Sequence, residues 1–299
     1  MYSVKHMQTF CAVVEYGGFV GAESVLGMSQ PAISTHIRDF EVRLGFSICH
    51  RGRSGFGLTE KGEVVYRRCR EMLNSFSDLE AELGSLRNML TGTLRVGLVD
   101  NTITNTEVPM PDAIHRFFER SSQVSLRLAV LPPEELEREL LNGNLHLAVG
   151  PFQKRHPALS YQPLYTEEHR FYCGRRHPLY EVDSAGLSLE RVGSYPISSR
   201  TYVQQAEMPL IRPYLGAAFV SNMEAQAMLI RSGRFLGFLP VHFAESWVAS
   251  GEMKELALPE LRWHSEFCLA MRTIPAPHEV VRVFVDDLVS SLGLQIGGR

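Results

Sequence analysis

The feature that most limits how this chain can fold is a spacing. From Val65 onward apolar residues return at Cys69, Met72, Phe76, Leu79, Leu83, Leu86 and Leu90, in alternating steps of four and three. That is a heptad seam. It predicts one continuous helix from an N-cap at Thr59, with Glu60 and Glu63 in its first turn, to about Leu90. A helix of about 30 residues is about 45 Å long, too long for the core of a small domain. Its stripe therefore calls for a partner helix, and a second copy of the chain supplies one most simply. The eight seam residues from Val65 to Leu90 are the expected dimerisation surface.

What precedes the seam is short and helical. Val4, Met7, Cys11 and Val14 share one face of a first helix, stopped by Gly17-Gly18. Phe19, Ala22, Val25 and Leu26 mark a second, ended by Gly27. Ser29 then offers an N-cap, with Pro31 in the first turn of a third helix, where its missing N–H costs nothing. Ile33, Ile37, Phe40 and Leu44 bury one side of that helix, while Gln30, Ser34 and Arg38, with Thr35 beside them, fall on another. Two helices joined by a short turn, the second polar outside, form a helix-turn-helix pattern. The following HRGRSGFGLT reads as a hairpin with Arg51 and Arg53 near its tip, suited to phosphates or a minor groove.

Charge supports this local reading. The whole chain, 299 residues with a formal net charge of −3, excludes a histone-like general binder. Between Ser29 and Arg70, however, eight basic residues face four acidic ones, the sign of a phosphate-facing surface. Length allows about two domains. No apolar run approaches the ~18 residues that span a bilayer, and MYSVKHMQTF lacks a signal-peptide pattern. Cys11, Cys49, Cys69, Cys173 and Cys268 are scattered, odd in number and without CxxC spacing, as in a reducing compartment. A cytoplasmic protein is the expectation.

After Thr91-Gly92 the pattern changes. LRVGLV, a helix-like PDAIHRFFER, VSLRLAVL, a helix-like PEELERELLNGN and LHLAVGP alternate as β-α-β-α-β, the mark of an open α/β sheet. Further strand-like and helix-like stretches continue to the terminal helix HEVVRVFVDDLVSSLG. Two α/β subdomains joined by a double crossover account for them.

SQPAIS…FEVRLG, the arginine wing and the long helix, in that order, resemble the N-terminal region of LysR-type transcriptional regulators. GTLRVGLVD, LLNGNLHLAVG, RRHPL and IRSGRFLGFLP are similar to their effector-binding domain. The resemblance covers essentially the whole chain. It implies a winged helix-turn-helix over residues 1–58, a linker and dimerisation helix over 59–91, and an effector domain over 92–299. That domain comprises two periplasmic-binding-protein-like α/β subdomains, one about 92–163 and 266–299, the other about 164–265. It implies double-stranded promoter DNA as partner, a small-molecule effector between the subdomains, a homodimer that pairs into a tetramer, and RNA polymerase as a further contact. By the same resemblance Ser29, Gln30, Pro31, Ser34, Thr35, His36 and Arg38 face the DNA groove or its backbone, and Arg51 and Arg53 make the wing contacts. Three departures stand out: Thr35 where many relatives carry arginine, Glu23 in place of a small alanine, and Cys49-His50 before the wing arginine.

In an open α/β fold ligands bind beyond the carboxyl ends of strands. The turn after LRVGLV offers Asn101, Thr102 and Thr104; across the cleft lie Ser198, Arg200 and Thr201, with Phe152 and Met223 as apolar lining. Asp100 in that turn repels an anion and points to a neutral, cationic or weakly acidic effector. His169, Cys173 and His177 are spaced like metal ligands but lie on a strand and turn without a fourth ligand. HExxH, GxSxG and phosphate-cradling glycine loops are absent, so neither an enzyme nor a cofactor is implied. Two rival readings are a solute-binding module with a purely structural helical N-terminus and a redox sensor using Cys173 or Cys268.

Overall fold

The computed structural model describes residues 3–52, 55–108, 110–121, 123–183, 186–203, 207 and 215–292. The chain divides into two compact units, Met1–Thr93 with Asn142–Asn144, and Leu94–Leu141 with Leu145–Arg299.

In the first unit α1 (Val4–Glu15), α2 (Phe19–Leu26) and α3 (Gln30–Leu44) close around Phe10, Val13, Ala22, Ile33, Ile37 and Phe40, all at most 2% exposed. Gly27 ends α2 with φ 61°, a left-handed turn that favours glycine and brings α3 round within a few residues. The cap of α3 differs from expectation. Ser29 has the extended backbone of an N-cap but its side chain makes no capping bond; Glu23 instead accepts the Gln30 N–H at 2.5 Å. A carboxylate at a helix N-terminus satisfies an orphan donor and faces the positive end of the helix dipole. Glu23 is thus a brace between the two helices of the helix-turn-helix.

β1 (Cys49–Gly52) and β2 (Gly55–Leu58) form the antiparallel wing, with Cys49 opposite Leu58 and Arg51 opposite Phe56. Glu41 of α3 accepts the Ile48 N–H at 2.9 Å and ties the wing's root to that helix. The long helix α4 (Glu60–Ser85) starts as predicted, with Thr59 Oγ1 accepting the Gly62 N–H at 2.9 Å. Gly62 admits a close approach, since a β-carbon there would lie 1.9 Å from the Ile48 carbonyl oxygen.

The far end of α4 is shorter than the heptad pattern predicts. The helix has 26 residues, Leu86 is its cap, and Leu90 lies beyond it. Asn88 adopts φ 57° and the Met89 N–H returns to the Gly84 carbonyl at 3.1 Å, closing the last turn in a left-handed cap. The seam is also divided in its use. Cys69 is 5% exposed and Val65 packs beside it in the N-terminal core, whereas Met72, Phe76, Leu79 and Leu83 remain 47–50% exposed.

The second unit is built on a mixed sheet in the order β10 (Met253–Glu255), β6 (Leu159–Gly174), β11 (Trp263–Arg272), β5 (Leu147–Gly150), β3 (Gly92–Leu98) and β4 (Val124–Val130), with β9 (Gly237–Pro240) also paired to β6, and it also holds α6 (Pro133–Leu141) and α7 (Leu189–Gly193). β3 (Gly92–Leu98) and β5 (Leu147–Gly150) are parallel and buried, as their apolar runs predict. α5 (Met110–Arg120) and the last helix α10 (Glu279–Ser291) pack on this half, Phe117 meeting Phe284 edge-on at 5.5 Å. The other half holds β7 (Pro196–Arg200), β8 (Leu215–Val220), β9 (Gly237–Pro240), β10 (Met253–Glu255), α8 (Met223–Arg231) and α9 (Val241–Ala249). The stretch QAEMPLIRPYLG, residues 205–216, reads as helical in the sequence and falls mostly outside the described residues. Two long antiparallel strands, β6 (Leu159–Gly174) and β11 (Trp263–Arg272), run through both halves. Their register shifts between Phe267 and Cys268, opposite Tyr165 and Pro163, which leaves Leu164 as the extra residue of a bulge.

Candidate DNA interface and effector cleft

α3 sorts its residues cleanly. Ile33, Ile37 and Phe40 point into the core, while Gln30, Pro31, Thr35 and Arg38 are exposed and Ser34 is half-buried beside them. Thr35 donates its hydroxyl to the Pro31 carbonyl at 3.0 Å, one turn back, so its outward surface is mainly the methyl group. His36 departs from the expected face. It is half-buried against α1, its Nδ1 3.4 Å from Thr9 Oγ1 and its ring 5.6 Å from that of His6. The reason is helical geometry: His36 lies one turn before Phe40, at the edge of the core-facing side. Arg51 lies on β1, and Arg53 is outside the described residues.

The effector turn after β3 crosses to the opposite half of the second unit by two contacts. Asp100 Oδ2 accepts the Met223 N–H, the first amide of α8, at 2.5 Å. The chain's own carboxylate therefore occupies the helix N-terminus where an anionic ligand would otherwise sit. Thr104 Oγ1 lies 2.8 Å from Nδ1 of His242, at the start of α9. Asn101 adopts φ 62°, and Thr102 to Thr104 form a single 3₁₀ turn. Phe152 and Thr201 come together with Pro133, Glu134, Glu137 and Tyr202 around a cavity of about 120 Å³.

Two expected effector residues serve the core instead. Ser198 is fully buried and donates to the Leu236 carbonyl at 3.1 Å. Arg200, 2% exposed, donates to Glu207 at 2.9 Å, to Tyr202 at 3.3 Å and to His169 Nδ1 at 3.3 Å. A guanidinium so committed is no open anion hook. Ser199, on the opposite face of the strand, is fully buried as well, so both faces of the end of β7 are covered and neither leaves a side chain open. Met223 is buried, and its contribution to the turn is its backbone N–H rather than its side chain.

His169 and Glu167 lie next to this cluster on β6. Glu167 accepts from Nε2 of His169 at 2.9 Å and from Nε2 of His242 at 2.9 Å. Burial alone pushes the Glu167 carboxyl up, but the two histidine bonds outweigh it and hold the group down at about 2. Burial, reinforced by the Arg200 charge, holds His169 at about 4. His169 is thus neutral at pH 7, donating from Nε2 and accepting at Nδ1.

This sets a pH dependence. Below 6.5 the unfolded chain protonates His169 while the folded one does not until about 4, so stability falls across that window. The gap is worth about 3 kcal/mol. Glu167 continues the loss between 4.5 and about 2, because its folded form holds its proton less tightly. Urea midpoints at pH 7.5 and pH 5 should separate strongly in the wild type and much less in His169→Gln; equal separations would contradict this assignment.

Cys173 and His177, set aside as metal ligands on the sequence, have other neighbours in the fold. Cys173 packs among Phe171, Ile197 and Leu236, and His177 Nδ1 accepts the Leu179 N–H at 3.1 Å. All five cysteines are free and buried, and burial pushes the Cys173 and Cys268 thiols up to about 12 and about 11. A redox sensor needs accessible thiolate, which these sites disfavour.

His242 and Glu167 escaped the sequence reading. The rule applied to the ends of β3 and β7 also points to His242, two residues beyond the last residue of β9. Glu167 lies mid-strand and carries no such signal.

Known proteins share the sequence and the fold. The family model for the LysR substrate binding domain matches residues 87–293. That for the bacterial regulatory helix-turn-helix protein, lysR family, matches residues 4–63. The chain belongs to the LysR family. This LysR-type chain is 35% identical over 293 residues to the HTH-type transcriptional activator BauR of Pseudomonas aeruginosa, covering 97% of the chain and 95% of that protein. It is 22% identical over 305 residues to the transcriptional regulator CfxR of Cupriavidus necator, covering 99% and 95%. Among solved structures it resembles full-length CbnR, with TM-score 0.68, 16% identity and coverage of 97% and 99%. It also resembles ArgP from Mycobacterium tuberculosis, with TM-score 0.60, 18% identity and full coverage of both chains. The LysR-type protein is accordingly a transcriptional regulator with an effector-binding domain. Regulators of this family are not enzymes. Among the described residues, no helix is long and apolar enough to cross a membrane.

Proposed function

We propose that the chain activates transcription from promoter DNA read by α3, and that a small molecule held at the turn after β3 controls it. The observation that carries the reading of α3 is its division into a fully buried apolar side and an exposed side that presents Gln30, Pro31, Thr35 and Arg38, with Asp39 beside them. Glutamine pairs in two places with adenine, arginine holds phosphate or guanine, and the threonine methyl suits a thymine methyl. Ser29 and Ser34 border that side, and Arg51 and Arg53 of the wing fit phosphate contacts. The exposed seam of α4 fits a homodimer, and the family's architecture fits a dimer of dimers. Activation follows the likeness to BauR, and RNA polymerase is then the contact that an activator needs.

The effector fits the region of Asn101, Thr102, Thr104, Phe152, Thr201 and the Met223 amide. Because Asp100 already holds that amide, an anionic effector competes with it, whereas a ligand with an amino group gains it as a partner.

A gel-shift assay on the promoter beside the chain's own gene tests the DNA reading. Gln30→Ala should weaken binding about tenfold or more, as loss of a bidentate base contact does. Arg38→Ala should weaken binding to all sequences and lower the salt dependence. Wild-type affinity for both variants would remove α3 as the reader.

A further inference from the structure

We propose that His242 reports the state of the effector turn to the far half of the domain, through a hydrogen-bonded chain running Thr104–His242–Glu167–His169–Arg200–Glu207–Ser199. The proposal rests on the reading of that turn as the effector site.

The links are continuous. Thr104 Oγ1 to His242 Nδ1 is 2.8 Å, and His242 Nε2 to Glu167 Oε1 is 2.9 Å. Glu167 Oε2 to His169 Nε2 is 2.9 Å, and Arg200 donates to His169 Nδ1 at 3.3 Å. Arg200 donates to Glu207 Oε1 at 2.9 Å, and Ser199 donates to Glu207 Oε2 at 2.6 Å. All members but Glu207 come from the turn after β3, the start of α9, the through-running strand β6 and the end of β7. Both halves of the effector domain and the strand that joins them are therefore on one path.

Proton counting gives the chain a direction. An ionised carboxylate only accepts, so both histidines must offer Glu167 an N–H at Nε2. His169 is left with a lone pair at Nδ1, which Arg200 fills. With Nε2 facing Glu167, the other ring nitrogen of His242, Nδ1, faces the Thr104 hydroxyl at 2.8 Å. That hydroxyl has one proton, and Asn101 Oδ1 stands 3.3 Å away as a second acceptor. A ligand that engages Thr104 therefore changes what holds the His242 ring, and so how that ring is presented to Glu167.

Burial is graded along the path. Thr104 is exposed and His242 is 18% exposed, beside a groove of about 500 Å³. Glu167, His169, Arg200 and Glu207 are each at most 5% exposed. In such low dielectric each hydrogen bond polarises the next, so a change at the open end is felt at the closed one. Burying ionic groups is costly, and well-packed apolar residues in place of a buried ion pair are often neutral or stabilising. A coupling role gives the chain a reason to exist.

Coupling has to be demonstrated by non-additivity at a distance. The measurement is amide hydrogen exchange of the full-length protein with no ligand added, comparing wild type, Thr104→Val, His242→Phe and the double variant. Thr104 is exposed, so its valine variant preserves the core. The relay predicts that Thr104→Val alone accelerates exchange across Ser198–Val203 by about 2- to 30-fold. The double variant should show no more than the larger single effect. His242→Gln keeps a donor for Glu167 but has no acceptor at the Nδ1 position, so it should reproduce Thr104→Val. Acceleration confined to residues 100–105, or effects that simply add, would overturn the relay. Because no effector is used, that failure leaves the cleft reading standing. The cleft reading is tested separately, by whether Thr102→Val and Thr201→Val shift the inducer response of a promoter fusion.

Discussion

Arg200→Met should destabilise the effector domain by about 3–5 kcal/mol, the scale for breaking one side of a buried ion pair. The guanidinium is nearly enclosed and holds a carboxylate, a phenol and an imidazole, and its removal strands Glu207, which is fully buried, without its counter-charge. Burial then raises the cost of ionising Glu207, so the variant should also become less stable as pH rises. Arg200→Met combined with Glu207→Gln should recover much of the loss, because the charge left behind is gone. Chemical denaturation of the three variants at neutral pH measures this. If the single and double variants fall equally, the loss is one of packing rather than of an unpaired charge. DNA binding is the useful control, since α3 and its core belong to the other compact unit.

Leu79→Glu should abolish dimerisation and, with it, high-affinity promoter binding. Met72, Phe76, Leu79 and Leu83 form a stripe about half exposed over three helical turns, an arrangement that a lone helix in water does not favour. Placing a glutamate at its middle forces two carboxylates together in an apolar seam, or leaves the seam open. Sedimentation or light scattering should show a monomer. Affinity for a two-half-site promoter should fall by the factor that joining the two sites contributes, about 10²–10⁴. Val65→Glu should behave differently: Val65 packs on the N-terminal core, so its charge should unfold that domain rather than separate the protomers. A Leu79→Glu protein that stays dimeric would place the interface elsewhere.

The contrast between Val65 and Leu79 shows where sequence reasoning stops. Both occupy the same heptad series, and periodicity assigns them the same face. It does not say which partner covers each stretch of that face, because an apolar side chain is equally satisfied by its own domain and by another chain. Glu23 is similar. As a departure from a small residue it left open whether it faces solvent or packs differently, and the fold uses it as the cap that Ser29 was expected to provide. That role depends on a carboxylate from one helix arriving at the amide of the next, which no local pattern encodes.

Local rules carried the helix-turn-helix, the wing, the start of the long helix and the parallel strands, since each follows from spacing, capping and turn chemistry within a few residues. The same rules placed Gln30, Thr35 and Arg38 on one exposed side of α3. They failed for Arg200, Ser198 and His36, where the direction of a side chain is set by neighbours distant in sequence. The Asp100–Met223 contact joins residues 123 positions apart, and the path from Thr104 through His242 to Arg200 draws on four separate elements. The sequence by itself determined the order of modules and the family, because both are written in short-range periodicity and contiguous motifs. Only the tertiary structure decided which polar residues are left for ligand and which are consumed in pairs, because a buried charge must find its partner wherever the fold brings one.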